Sequence, residues 1–146
     1  MKVLLIAPPQ NISEKILRAY PPMSLLYLAA NIKKNGDNVN ILDLGIKRFY
    51  NVDLETVVLE KIENEKPDLI GFTCLISSLF PFIVRYSKLI KGKYPNIKIV
   101  IGGLHPTLFP QEILENCKEI DFVIIGEGEK SFVELCTKIE DKDEDR

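Results

Sequence analysis

The sequence predicts an α/β fold, a doubly wound, all-parallel sheet of five strands with helices on both faces, three layers in one domain. Three observations lead there. Five short apolar runs recur along the chain at regular distances, and three of them are rich in Val or Ile, as strands covered on both faces are. Segments whose apolar residues repeat with helical period separate them. Strands and helices that alternate singly can bury both only as a parallel sheet with crossover helices.

Taken in order, the first strand is Val3–Ala7, stopped by Pro8-Pro9. Its basic start and short apolar stretch fall below the length of a signal peptide core. Leu25, Leu28, Ala29 and Ile32 keep i, i+3, i+4, i+7 spacing on the first helix, which Asn35-Gly36 ends. The second strand is Val39–Leu42, and Asp53 suits the cap of a second helix carrying Leu54, Val58 and Ile62. Leu69–Thr73 forms the third strand. Phe82, Ile83, Tyr86, Leu89 and Ile90 stripe a third helix that ends before Pro95. The fourth strand is Ile97–Ile101, and Pro110 fits the first turn of a short fourth helix with Ile113, Leu114 and Cys117. Phe122–Ile125 is the fifth strand, and Phe132, Leu135, Cys136 and Ile139 mark the fifth helix. The domain is expected to occupy residues 1–139. The wholly charged stretch from Glu140 to Arg146 reads as a solvated tail or a linker cut short. Five strands rather than six select the Rossmann-like, flavodoxin-like order 2-1-3-4-5.

Composition narrows the function. An apolar content of 46% and a charged content of 27% over 146 residues describe a folded globular chain. A net charge of −2 lacks the concentrated positive charge that nucleic-acid binding needs. No apolar run reaches the eighteen or so residues of a membrane span. Cys74, Cys117 and Cys136 are odd in number and far apart, which implies neither a disulfide framework nor a metal cluster and suits a reducing cytoplasm.

Ligands of such sheets bind beyond the carboxyl ends of the strands. There the loops hold Pro8-Pro9, Asp43-Leu44-Gly45, Cys74 to Ser78, Gly102 to Thr107 and Gly126 to Glu129. Glycine, proline and small hydroxyl residues crowd this edge, as a ligand lying close to the backbone would require. Each feature also has a plainer use. Gly102-Gly103 serves equally as a tight turn out of a strand. His105, the single histidine, is expected as a packed or surface residue rather than a base or metal ligand, and Cys74 as core. Glu127 and Glu129 suit the start of the fifth helix. Asp43 resembles a ribose-binding acid, yet no GxGxxG follows the first strand and no GxxxxGK[ST] loop exists. An acidic pair for phosphoacceptor chemistry is absent from Ala7-Pro8-Pro9.

Five motifs occur in a specific order: the opening strand with Pro8-Pro9, then Pro21-Pro22-Met23-Ser24-Leu25-Leu26-Tyr27-Leu28-Ala29-Ala30, Lys66-Pro67-Asp68-Leu69-Ile70-Gly71-Phe72, Gly102-Gly103-Leu104-His105-Pro106-Thr107, and Asp121 through Glu129. Together they resemble the amino-terminal cobalamin (vitamin B12)-binding domain of cobalamin-dependent radical SAM proteins. Thr73-Cys74-Leu75 and Gly102-Gly103 match the Ser/Thr-x-Leu and Gly-Gly of the wider family. The resemblance implies that Thr73 hydrogen-bonds the nucleotide tail of cobalamin and that the glycines let the tail pass close to the sheet. It marks Thr73, Leu75, Ser77, Gly102, Gly103, His105, Gly126, Glu127 and Gly128 as cofactor-binding. The classical Asp-x-His-x-x-Gly is missing, for Pro8 to Tyr20 contain no histidine, so no axial histidine is expected from the first loop. No Cys-x-x-x-Cys-x-x-Cys run occurs either. S-adenosylmethionine and an iron–sulfur cluster are therefore expected only in a separate carboxyl-terminal catalytic domain, in cis or in trans, performing methyl transfer or related radical chemistry. The competing readings are a small flavodoxin-like nucleotide- or flavin-binding protein using Asp43, and a relic domain without cofactor.

Overall fold

The computed structural model describes residues 1–9, 21–47 and 52–144. The expected irregular loop through residues 10–20 lies outside them. In chain order the elements are β1 (Lys2–Ala7), α1 (Met23–Lys34), β2 (Asn38–Asp43), α2 (Leu44–Lys47), α3 (Leu54–Glu65), β3 (Leu69–Thr73), a 3₁₀ turn at Ser77–Leu79, α4 (Phe80–Lys93), β4 (Lys98–Gly102), α5 (Leu104–Leu108), α6 (Pro110–Asn116), β5 (Phe122–Val123) and α7 (Gly128–Glu144). The five strands are all parallel in the order β2-β1-β3-β4-β5, as the sequence predicts.

Alternation along β1 builds the two faces. Leu4 and Ile6 point to one side, where they meet Val58 and Ile62 of α3, Ile83 and Ile90 of α4, and Ile113 of α6. Val3, Leu5 and Ala7 point to the other, against Leu25, Ala29 and Ile32 of α1 and Phe132 and Cys136 of α7. Each fully buried Leu or Ile contributes about 1.5–3 kcal/mol of transfer free energy, so these two layers dominate the stability.

Local signals set the helix ends. Asp53 caps α3 by accepting the Thr56 backbone N–H at 3.1 Å. Gly36, at φ 96°, turns the chain out of α1. Several boundaries differ from the expectation, beginning with the first two strands, which run slightly longer as Lys2–Ala7 and Asn38–Asp43. The fourth strand is shifted one residue onward, to Lys98–Gly102, because its ladder with β3 pairs Leu69 with Lys98 and Thr73 with Gly102. The fifth strand holds only Phe122–Val123, since Gly126 at φ 73° turns the chain away soon after. Cys117 lies just beyond α6 rather than on it.

The last helix continues to Glu144, past residue 139. Glu140 on its fourth turn accepts a hydrogen bond from the Met1 amino group, which also donates to buried Asp37 at 2.7 Å. These carboxylates push the amine pKa up from 8.0 to about 10. A raised folded-state value means that the stabilisation is complete below pH 8.0 and fades as pH rises through about 10. Buried Cys136, pushed up to about 12, adds to the alkaline loss because its thiol ionises more readily once unfolded. Thermal midpoints measured from pH 7 to 11 should therefore fall. In Asp37→Asn the part of that fall between pH 8.0 and 10 should shrink.

Candidate functional site

Parallel pairing sets the site. Thr73 and Gly102 are cross-strand partners at the carboxyl ends of β3 and β4, so two motifs distant in sequence become neighbours. The ladder continues past the strands, with the Cys74 N–H donating to the Gly102 carbonyl at 2.8 Å and the His105 N–H to the Cys74 carbonyl at 3.1 Å.

The two adjacent glycines do different work. Gly103 has φ 112° and ψ −169°, a region that residues with side chains seldom enter. A Cβ there would lie 2.7 Å from the Cys74 carbonyl oxygen, so the turn itself demands glycine. Gly102 is under neither constraint. The nearest atom to a Cβ built on it is Ile124 Cβ, at 3.8 Å. The open space above it belongs to a cavity of about 370 Å³.

The cavity floor is apolar, formed by Leu5 of β1, Val100 of β4, Ile124 and Phe132. Gly71 in β3 makes that floor possible, because a Cβ there would meet Leu5 Cδ2 at 2.9 Å and the Phe132 ring at 3.0 Å. The walls are Thr73 and Leu75 on one side, the Gly102–Leu104 turn with Thr107 beside it, and the Gly126–Glu129 loop leading into α7. Ser24 and Leu28 of α1 complete the rim. Among the described residues the Thr73 hydroxyl has no hydrogen-bond partner, leaving it available to a ligand.

Of the nine residues expected to bind a cofactor, seven line this cavity: Thr73, Leu75, Gly102, Gly103, Gly126, Glu127 and Gly128. Ser77 and His105 do not. They meet each other, Ser77 Oγ lying 3.0 Å from His105 Nδ1, and the imidazole packs between Phe80 at 4.7 Å and Phe109 at 5.2 Å. His105 sits on α5 rather than in a loop, in the packed role that the sequence suggests.

The floor and α1 rim escaped the sequence reading. Leu5, Val100 and Phe132 carry ordinary core signals, and the one local signal of a close approach is Gly71, a glycine inside a largely apolar strand. Cys74 is buried beside the cavity, and desolvation pushes its thiol up to about 11, which favours the protonated form at neutral pH. Asp43 accepts the Gly45 N–H at 2.9 Å and is not part of the cavity lining. Among the described residues no group of three His, Cys, Asp or Glu could hold a metal ion. No described helix is long and apolar enough to cross a membrane.

Large apolar side chains stand exposed around the same edge. Met23 begins α1, Leu75 and Ile76 follow β3, Leu104 and Leu108 follow β4, and Ile125 follows β5, each at least 40% exposed. The cavity and this rim offer an apolar surface, with open space above Gly102 and a hydroxyl at Thr73.

An uncharacterized methyltransferase of Pyrococcus horikoshii is 32% identical over 137 residues, covering 92% of this chain and 28% of that protein. The cobalamin-dependent radical SAM methyltransferase TokK of Streptomyces tokunonensis is 34% identical over 77 residues, 52% of this chain and 11% of that protein. The solved radical S-adenosylmethionine methyltransferase TsrM from Kitasatospora setae superposes with a TM-score of 0.74 at 26% identity, over 97% of this chain and 26% of its own. The chain thus spans about a quarter of the Pyrococcus protein and of TsrM. The B12 binding domain description matches residues 12–136, taking in β2 to β5 with the helices between them and most of the cavity wall, and the chain belongs to that family.

Proposed function

We propose that this chain is the cobalamin-holding module of a cobalamin-dependent radical SAM enzyme, and that a separate catalytic domain covers its carboxyl edge. The open space above Gly102, next to the Thr73 hydroxyl and over an apolar floor, is the observation that carries the reading. Bound cobalamin would supply methyl-carrying or radical chemistry. This chain's own residues bind and orient. Thr73 donates or accepts one hydrogen bond at the cofactor tail, Gly102 leaves room for it, and Leu5, Val100, Ile124 and Phe132 exclude water beneath it. The exposed ring of Leu75, Ile76, Leu104, Leu108 and Ile125 supplies apolar area for the macrocycle and for the catalytic domain facing it. S-adenosylmethionine and an iron–sulfur cluster belong to that domain. A reducing cytoplasm suits the three free, buried cysteines.

Hydroxocobalamin added to the purified chain is expected to bind with a dissociation constant of roughly micromolar or weaker, since one wall of a shared site loses the burial that its partner provides. The visible spectrum should shift on titration. A spectrum unchanged in excess cobalamin would favour the relic reading, and a flavin or nucleotide binding in its place would favour the alternative. Thr73→Val keeps the branched shape and removes only the hydroxyl. It should weaken binding about tenfold, the worth of one hydrogen bond, without lowering the thermal midpoint. Electron resonance of the reduced complex should carry no nitrogen coupling from protein histidine. Coupling that vanished in His105→Ala would overturn the packed role of that ring.

A further inference from the structure

We propose that Thr107 is the positioning residue of this site, its single hydroxyl fixing the width of the cavity mouth by tying two glycine loops together. Thr107 Oγ1 donates to the Gly103 carbonyl at 2.7 Å and accepts from the Gly126 N–H at 3.0 Å. A hydroxyl offers one donor and two acceptor positions, so both bonds form at once. The two loops it joins leave different strands, β4 and β5, and each is turned by a glycine of positive φ, 112° at Gly103 and 73° at Gly126. Such glycines carry little steric restraint of their own, and a Cβ at Gly126 would meet nothing within 4 Å. The backbone ladder holds the chain only as far as the Ile124 N–H, which donates to the Ile101 carbonyl at 2.9 Å, and the link from Gly126 to the Gly103 turn is the Thr107 side chain. Thr107, Gly103 and Gly126 all line the cavity, so the tie spans the opening itself.

The inference deepens the cobalamin reading and rests on it for the ligand. It predicts that Thr107→Val, close in shape but unable to make either bond, loosens the Gly126 loop and weakens binding, while Thr107→Ser keeps both properties. Two measurements on the full chain separate the possibilities: hydrogen exchange at the Gly126 amide without ligand, and hydroxocobalamin titration. In Thr107→Val, exchange at Gly126 should accelerate about tenfold and cobalamin affinity fall about tenfold, with Thr107→Ser within about twofold of wild type on both. Unchanged Gly126 exchange in Thr107→Val overturns the tie. Faster exchange with unaltered affinity overturns its role at the mouth. Failure of the wild-type chain to bind cobalamin defeats the functional reading, and with it the binding role of Thr107, whereas the Gly126 exchange result still decides the tie.

Discussion

Gly102→Val is expected to fold normally and lose cobalamin binding, whereas its neighbour variant Gly103→Val is expected to fail in folding. A valine at position 102 ends a strand, where branched residues are favoured, and its Cβ would come no nearer than 3.8 Å to any neighbour. Its two methyl groups would project into the cavity, over the space assigned to the cofactor tail. Affinity should fall at least a hundredfold, with a thermal midpoint within a few degrees of wild type. At position 103 the balance reverses. The backbone lies in a glycine region that costs other residues about 1–3 kcal/mol, and a Cβ would sit 2.7 Å from the Cys74 carbonyl oxygen. Backbone cannot yield there as a flexible side chain could. Overpacking of about 1–3 kcal/mol adds to the strain, and the sum consumes a large part of a typical 5–15 kcal/mol of stability. Circular dichroism melting and cobalamin titration read the two effects separately. Wild-type binding by Gly102→Val would show that the tail does not lie in this groove.

Phe132→Ala should be the most destabilising core change among the cavity-lining residues, costing about 3–5 kcal/mol. Phe132 is 3% exposed, and its ring fills the hollow left by Gly71 beside Leu5. Neighbours cannot collapse into that hollow, because strands β1 and β3 are fixed by their own ladder. Urea unfolding should give a lower midpoint at an unchanged m-value. Leu114→Ala, at a site 47% exposed, should shift the midpoint little. A loss below about 1 kcal/mol in Phe132→Ala would mean that the ring does not pack as described.

Strands were legible because double burial writes itself as apolar runs, uninterrupted in Val3–Ala7. Helix α5 was not, because Leu104 to Leu108 is too short for a period and contains a proline. Two tertiary bonds hold it, His105 N–H to the Cys74 carbonyl and Gly126 N–H to Thr107 Oγ1, beside the local bond from Thr107 to Gly103. The site divides the same way. Its walls come from strand-end loops, whose hydroxyl and glycine residues stand out in sequence. Its floor comes from Leu5, Val100 and Phe132, which look like any core residue until topology places a hollow above them. Ser77 and His105 belong to the same edge, where they bond to each other outside the cavity lining.

The strand order has a consequence for synthesis. With β1 paired to β2 on one side and β3, β4 and β5 added in turn on the other, each new strand leaving the ribosome finds its partner already made. The sheet can grow vectorially, one edge advancing with the nascent chain. The cofactor cavity cannot. It needs Leu5 from the first strand and Phe132 from the last helix, so it closes only when α7 docks beside α1. The cavity is therefore complete only once α7 has been made, and a ribosome stalled before α7 should display an ordered sheet that binds no cobalamin.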